Sequence, residues 1–389
     1  MNSFTWIEPT DIASAIAAGA RQGALFKAGG VDVTDLMKEH VAQPSALVNL
    51  RSVAELDFLR VDDGAFSIGP LVTLARLSED ARILERARAL AQAAGWAATP
   101  QIRNLATLGG NLAQRPRCPY FRSELFRCRR KGGTECFAIS GENQDHAVFD
   151  NDLCPIVHPS GTATALVALG ASLRLRGPRG ERTLPIEQFF VRPEHDVTRE
   201  NVLRPGELIV EIRVPAGRRS GYVKLMQKQT FDWPLADAAV AWDGASGPVR
   251  NARVVLGAAA PVPWRATAAE KALEGKALDD ATAGAAARLA TQGATPLDKN
   301  QHKVPALQRD PVPQADAREV EDLIDHPSHA LGAAQDALGR LQDLVGIRSA
   351  REEARARHDG GERVAQVVSE DSHEHLAEAA GYKPTRPSE

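Results

Sequence analysis

Cysteine is scarce in this chain. Four are present in 389 residues, at positions 118, 128, 136 and 154, and none lies outside that interval. Such a count excludes a disulfide-stapled scaffold. Aromatic residues make up only 5%, and the charges nearly cancel, leaving a net −3. That balance excludes the strongly basic profile of a nucleic-acid-binding protein; the single basic cluster, Arg115 to Lys131, is local. No apolar run approaches the ~20 residues that span a bilayer. The opening MNSFTWIEPTDIASAIAAGA lacks the basic start and apolar core of a secretory signal. A cytoplasmic protein is the expectation, with the periplasm open to a chain exported folded beside a signal-bearing partner. The G-x-G-x-x-G fingerprint of a dinucleotide fold is missing as well.

What is present describes a soluble globular chain long enough for two or three domains, with 43% hydrophobic residues. Helical spacing at Ile12, Ala15 and Ile16 is followed by a strand-like Ala24–Ala28, a helix-compatible VTDLMKEH, and strand-like ALVNL and FSIGPLV. SEDARILERARALAQAAGWAA reads as one helix capped at Ser78, with Ile83, Leu84, Ala87, Leu90, Ala91 and Ala94 as its apolar stripe. GTATALVALGASLRLRG predicts a helix leading into a strand, and LIVEIRVP a strand closing a first domain near Ala216. A smaller α+β domain follows at 217–308, with helices expected at 267–274 and 279–291. From 309 to 389 the chain is a polar extension with one plausible helix, near Leu331–Leu344.

Two glycine pairs share a logic, KAGGVDVTDLMK at 27–38 and TLGGNL at 107–112. Adjacent glycines allow positive φ and close approach of a ligand to the main chain. Consecutive N–H groups ahead of a helix make an anion nest. Either pair suits a phosphate, and two together suit a diphosphate, although each is also compatible with a plain tight turn.

Three chemistries compete for the cysteines. Disulfides need an oxidising compartment that nothing signals. Structural zinc favours short C-x₂₋₄-C hooks, whereas nine, seven and seventeen residues intervene here. A four-thiolate iron–sulfur cluster tolerates irregular spacing in a wrapping loop. Pro119 and Pro155 stiffen the chain beside two cysteines. Arg117, Arg122, Arg127, Arg129, Arg130 and Lys131 supply positive charge that would offset an anionic cluster or dock an acidic partner. His146 and His158 read as structural.

The residues also carry a resemblance. AGGVDVTDLMK and PQIRNLATLGGNL resemble the two signature loops of the FAD-binding medium subunit of the xanthine dehydrogenase family of molybdenum hydroxylases. The likeness continues in order through ATALVALGASLRLRG, ELIVEIRVP, YVKLMQKQTFDWPLADAAVAW and ATPLDKNQHKVP, covering residues 4–305. It implies an α+β chain: a two-part FAD-binding domain of the PCMH (vanillyl-alcohol-oxidase-like) type at 1–216, then a CO-dehydrogenase-flavoprotein-like C-terminal domain. It further implies a first FAD loop at Lys27, Ala28, Gly29, Gly30, Val31, Asp32, Val33 and Thr34, and a second at Thr107, Gly109, Gly110 and Asn111. Lys224 would reach the flavin ring. Ser160–Gly161 departs from the Ser-Asp common in the family, whose Asp contacts the ribityl chain.

The stretch from about 113 to 158 resembles the cluster-bearing insertion of the FAD subunit of bacterial periplasmic aldehyde oxidoreductases. That implies a [4Fe–4S] cluster on Cys118, Cys128, Cys136 and Cys154. The expectation is an electron-transfer subunit of a heterotrimer that moves electrons from a small [2Fe–2S] subunit to FAD and an external acceptor. A large partner would hold the molybdenum cofactor. Substrate chemistry would lie on that partner, so no catalytic acid or base is nominated here. Two rivals stand beside this reading: a 4-hydroxybenzoyl-CoA-reductase-like β-subunit with inward electron flow, and a non-redox scaffold with zinc on the thiolates.

Overall fold

The computed structural model describes residues 2–228, 231–244 and 247–309. The first strands, β1 (Thr5–Ile7), β2 (Ala24–Lys27) and β3 (Ala46–Asn49), form a parallel sheet in the order β1–β3–β2. Helix α1 (Ile12–Gly19) connects β1 to β2 and begins with a capping box: Asp11 Oδ1 accepts from the Ser14 amide at 2.7 Å, and Ser14 Oγ accepts from the Asp11 amide. Helix α2 (Val31–Lys38) starts directly after β2, at Gly30.

A five-stranded antiparallel sheet follows, ordered β4–β5–β8–β6–β7, from β4 (Leu59–Asp62), β5 (Ala65–Ile68), β6 (Ser172–Gly177), β7 (Gly180–Pro185) and β8 (Leu208–Pro215). Between β5 and β6 run α3 (Leu74–Glu79), α4 (Ala81–Arg86), α5 (Arg88–Gly95), α6 (Pro100–Leu105), α7 (Leu108–Ala113), α8 (Pro119–Arg122) and α9 (Gly161–Leu169). The single helix expected from Ser78 onward is three. Asp80 ends α3 in extended conformation and caps α4, accepting from the amides of Arg82 and Ile83 at 3.0 and 3.3 Å. An Asp side chain that competes for local amides breaks a helix where periodicity alone continues it. Ser78 does not cap; its hydroxyl donates to Ala75 O. The stripe survives the breaks: Ile83, Ala87, Leu90, Ala91 and Ala94 are buried, while Leu84 is exposed.

The last sheet is antiparallel, β12–β11–β10–β9, from β9 (Arg219–Met226), β10 (Pro234–Asp243), β11 (Arg250–Gly257) and β12 (Trp264–Arg265). Helices α10 (Thr267–Leu273) and α11 (Asp280–Ala290) lie close to their expected positions, and α12 (Lys303–Arg309) follows. Ala216 falls between β8 and β9, but the core does not stop there. Residues 162–169 of α9 are all buried, and one hydrophobic cluster joins them to Tyr222, Ala239 and Val255. A helix apolar on every side must be covered on every side. Apart from Arg309, the extension at 309–389, including the helix expected near 331–344, lies outside the described residues. No helix of the described residues is long and apolar enough to cross a membrane.

Candidate flavin cavity and cysteine pocket

The two glycine pairs do different work. Gly30 has φ +89°, a conformation L side chains rarely adopt, and it turns the chain from β2 into α2. The amides of Gly29 to Val33 have no acceptor among the described residues, as expected of a helix start waiting for an anion. At the second pair the expected nest is not there. Leu108 N donates to Val72 O, Gly109 N to Pro70 O, and Gly110 N to the hydroxyl of Thr107, which caps α7. Here glycine serves close packing. A Cβ on Gly109 would stand 2.6 Å from Pro70 Cβ, and one on Gly29 only 2.2 Å from Leu105 O. Gly110 is less crowded: a Cβ there would stand 3.1 Å from Thr107 Oγ1, a tight contact that a small shift of the hydroxyl relieves.

Between the pairs opens a cavity of about 910 Å³, within the size range of small-molecule and cofactor sites. Of the residues expected at a flavin, Ala28, Gly29, Gly30, Val31, Asp32, Val33, Thr107, Gly109, Gly110, Asn111 and Lys224 line it; Lys27 and Thr34 do not. Lys27 turns to Asn49 Oδ1, 3.4 Å away, and sits over the Trp6 ring. Lys224 Nζ donates to Trp96 O at 3.0 Å, and burial lowers its pKa against the opposing pull of Asp237 and Asp232. Asn111 is spoken for: its Oδ1 accepts from Ser160 Oγ and from Thr162 Oγ1. The glycine at 161 has a local cause, since a Cβ there would meet the Tyr222 hydroxyl at 2.4 Å. Tyr222, Trp96, Phe231 and Trp233 also line the cavity. Sequence reasoning missed them, because nothing in their local pattern says that these aromatics converge.

All four cysteines, separated by irregular intervals, surround one small pocket with Phe121, Arg130 and His146. Burial pushes the Cys118 thiol up to about 12. The neighbouring Cys136 and then Arg130, whose Nε lies 3.4 Å from the sulfur, draw the Cys154 thiol below its ordinary value against the cost of burial. His146 Nε2 sits 3.3 Å from Cys118 Sγ. Burial holds His146 near 4 and His158 near 3, which keeps both neutral. Among the described residues, no three His, Cys, Asp or Glu side chains stand as they would around a single metal ion. The C-terminal motif NQHK supports the pocket from outside. Asn300 Nδ2 donates to the carbonyls of His146 and Ala147, and the buried Lys303 donates to Asp145 O.

The basic cluster is largely consumed internally. Arg130 and Arg115 share Glu200, at 2.8 and 3.0 Å. Arg117 and Arg122 both bind Asp32, at 2.6 and 2.7 Å. Arg129 donates to the carbonyls of Thr134 and Leu153, leaving Arg127 as the exposed member. A basic docking face for an acidic partner is therefore mostly absent among these residues.

Comparison with known proteins agrees with this geometry. Residues 2–217 match the FAD binding domain in molybdopterin dehydrogenase, and residues 221–309 match the CO dehydrogenase flavoprotein C-terminal domain. The aldehyde oxidoreductase FAD-binding subunit PaoB of Escherichia coli (strain K12) is 34% identical over 281 residues, covering 70% of this chain and 86% of that protein. The carbon monoxide dehydrogenase medium chain of Hydrogenophaga pseudoflava is 29% identical over 289 residues, covering 73% and 84%. A solved structure of carbon monoxide dehydrogenase from that organism superposes with a TM-score of 0.62 at 28% identity, over 79% of this chain and 94% of that one. The chain belongs to the molybdenum hydroxylase family as its FAD-binding subunit, the flavoprotein component of an oxidoreductase.

Proposed function

We propose that this subunit carries two redox centres, FAD in the glycine-lined cavity and a [4Fe–4S] cluster on Cys118, Cys128, Cys136 and Cys154. It would relay electrons within a heterotrimer that oxidises aldehydes. The observation that carries the reading is the meeting of four thiols in one pocket, on the stretch of chain that leaves the second glycine loop. The donor set fits a cluster: four soft ligands, with cationic Arg130 and Lys131 close by. Arg130 Nη2 and His146 Nδ1 are buried without a hydrogen-bond partner among the described residues, as groups beside a bound acceptor would be.

In the flavin cavity FAD supplies reversible electron uptake. The chain's own part is to bind and bias it. The unbonded amides of Gly29 to Val33 would take the diphosphate, and the absence of a Cβ at Gly110 would let the ligand approach the main chain. Lys224, held by Trp96 O, would favour negative charge on the reduced ring. The small [2Fe–2S] subunit, the large molybdenum subunit and an external acceptor complete the proposed route.

Purification with the partner subunits under anaerobic conditions tests the assignment. The expected protein is yellow-brown, with flavin absorbance, a broad shoulder near ~400 nm and about four irons per chain. A colourless preparation with zinc on the thiolates would overturn it.

A further inference from the structure

One carboxylate ties the cysteine-bearing segment to the first glycine loop. Asp32 lies in the first turn of α2, two residues past Gly30. Its Oδ1 accepts from Arg122 at 2.7 Å and forms an ion pair with Arg117 at 2.6 Å, and its Oδ2 accepts from the amide of Arg115 at 2.9 Å. Burial works to raise the carboxyl, but Arg117, Arg122 and the Arg115 amide outweigh it and hold it below the usual carboxylate range. Arg122 is 8% exposed and held on all sides, donating to Pro116 O at 2.8 Å, to Arg115 O at 3.2 Å and to Asp35 at 3.1 Å. It ends α8, whose cap is Cys118 and whose last amide bonds Cys118 O at 3.0 Å. Below the ion pairs, Leu36 of α2 packs with Phe121 and Cys128, with Cys118 and Phe137 against them. A contiguous path therefore runs from Cys118 through α8 and Arg122 to Asp32 and the cavity wall at Gly29–Gly30.

At four residues, α8 is too short to hold its shape alone. Its placement depends on what anchors Cys118 at one end and Arg122 at the other. We propose that Asp32 and Arg122 form a clasp that couples the two sites: filling the cysteine pocket fixes α8, Arg122 then holds Asp32, and the first glycine loop keeps its FAD-binding geometry. This rests on the reading that the cysteines hold a cluster. Coupling of binding free energies is reciprocal, so FAD must retain the cluster by the same factor by which the cluster retains FAD.

The test compares FAD affinity in four preparations of the full chain purified anaerobically. These are the wild type and Arg122→Gln, each iron-loaded and each stripped with a chelator, with FAD titrated back by flavin fluorescence. Stripping is expected to weaken FAD binding about tenfold in the wild type, a usual size for coupling. Arg122→Gln is expected to keep its iron, to start at the weaker affinity and to change little on stripping. Arg122→Lys, which can meet only part of the carboxylate, should fall between, and it carries the test if the glutamine variant does not fold. Circular dichroism reports the folded fraction. Equal FAD affinity in loaded and stripped wild type overturns the coupling, and so does an equal loss on stripping in both proteins. A wild-type chain that holds no iron overturns the cluster reading instead. In that case wild-type FAD affinity in Arg122→Gln overturns the clasp separately.

Discussion

The flavin cavity and the cysteine pocket draw on neighbouring stretches of chain, Thr107–Asn111 and Cys118–Cys154, yet they are built from opposite material. The cavity wall at the glycine pairs is main chain: two helix starts, with side chains missing where a Cβ would strike Leu105 O or Pro70. The cysteine pocket is all side chain, four thiols with Arg130 and His146 against two of them. A backbone wall is specific through shape and tolerates no added atoms. A side-chain wall is specific through the chemistry of its ligands and depends on charges brought from elsewhere to make its interior affordable.

The sharpest way to break this contrast is at the glycines. Gly29→Ala sets a Cβ 2.2 Å from a main-chain carbonyl that cannot move aside. It should abolish FAD retention and lower stability by about 1–3 kcal/mol, read as flavin absorbance per chain and a thermal melt. Gly110→Ala is its milder counterpart: the new Cβ would stand 3.1 Å from the Thr107 hydroxyl, a side-chain atom that need shift only slightly, so the melting temperature should fall far less than in Gly29→Ala while FAD binding weakens. Equal damage from both would mean that the second loop is a packing device and no part of the ligand site.

Next in size is Cys154→Ser. It should empty the cysteine pocket of iron, measured by metal analysis, while far-UV circular dichroism is unchanged; wild-type iron content would remove Cys154 from the ligand set. Acid gives a third, smaller handle. Asp32 has its folded-state pKa depressed, so its ion pairs contribute fully above the ordinary carboxylate value of about 3.9 and are lost as pH falls through the folded value below it. FAD release, followed by fluorescence, should begin only below about pH 4, and Asp32→Asn should flatten that limb. Smallest is Lys224→Met. FAD should stay bound while the flavin potential drops, since a cation near the reduced ring is gone; an unchanged potential would leave Lys224 as a strut to Trp96 O.

Local pattern carried much of this structure. The spans of α1, α9 and α11 were legible because apolar residues and capping side chains act within a few residues, as the Asp11–Ser14 box shows, and that of α10 without a side-chain cap. The same locality misled at Ser78, where an apolar stripe continued through two breaks that Asp80 and Ala87 impose. At the second glycine pair, composition pointed to free amides. The amides were taken by Val72 O, Pro70 O and Thr107, two of them from a turn that spacing does not reveal.

By itself, then, the sequence determined which groups are available: glycines where the main chain must come close, four thiols gathered in one interval, and arginines between them. Residue type limits conformation and ligand chemistry locally, wherever the chain goes. Only the tertiary structure decided where those groups point. It assigned Lys27 to Asn49 and left it out of the cavity, and it gave the guanidinium groups of Arg115 and Arg122 to carboxylates 85 and 90 residues away. It also closed irregular cysteine intervals into one pocket. Such pairings depend on which surfaces pack together, and a buried arginine, which stays charged, is tolerated only beside the carboxylate that packing brings to it.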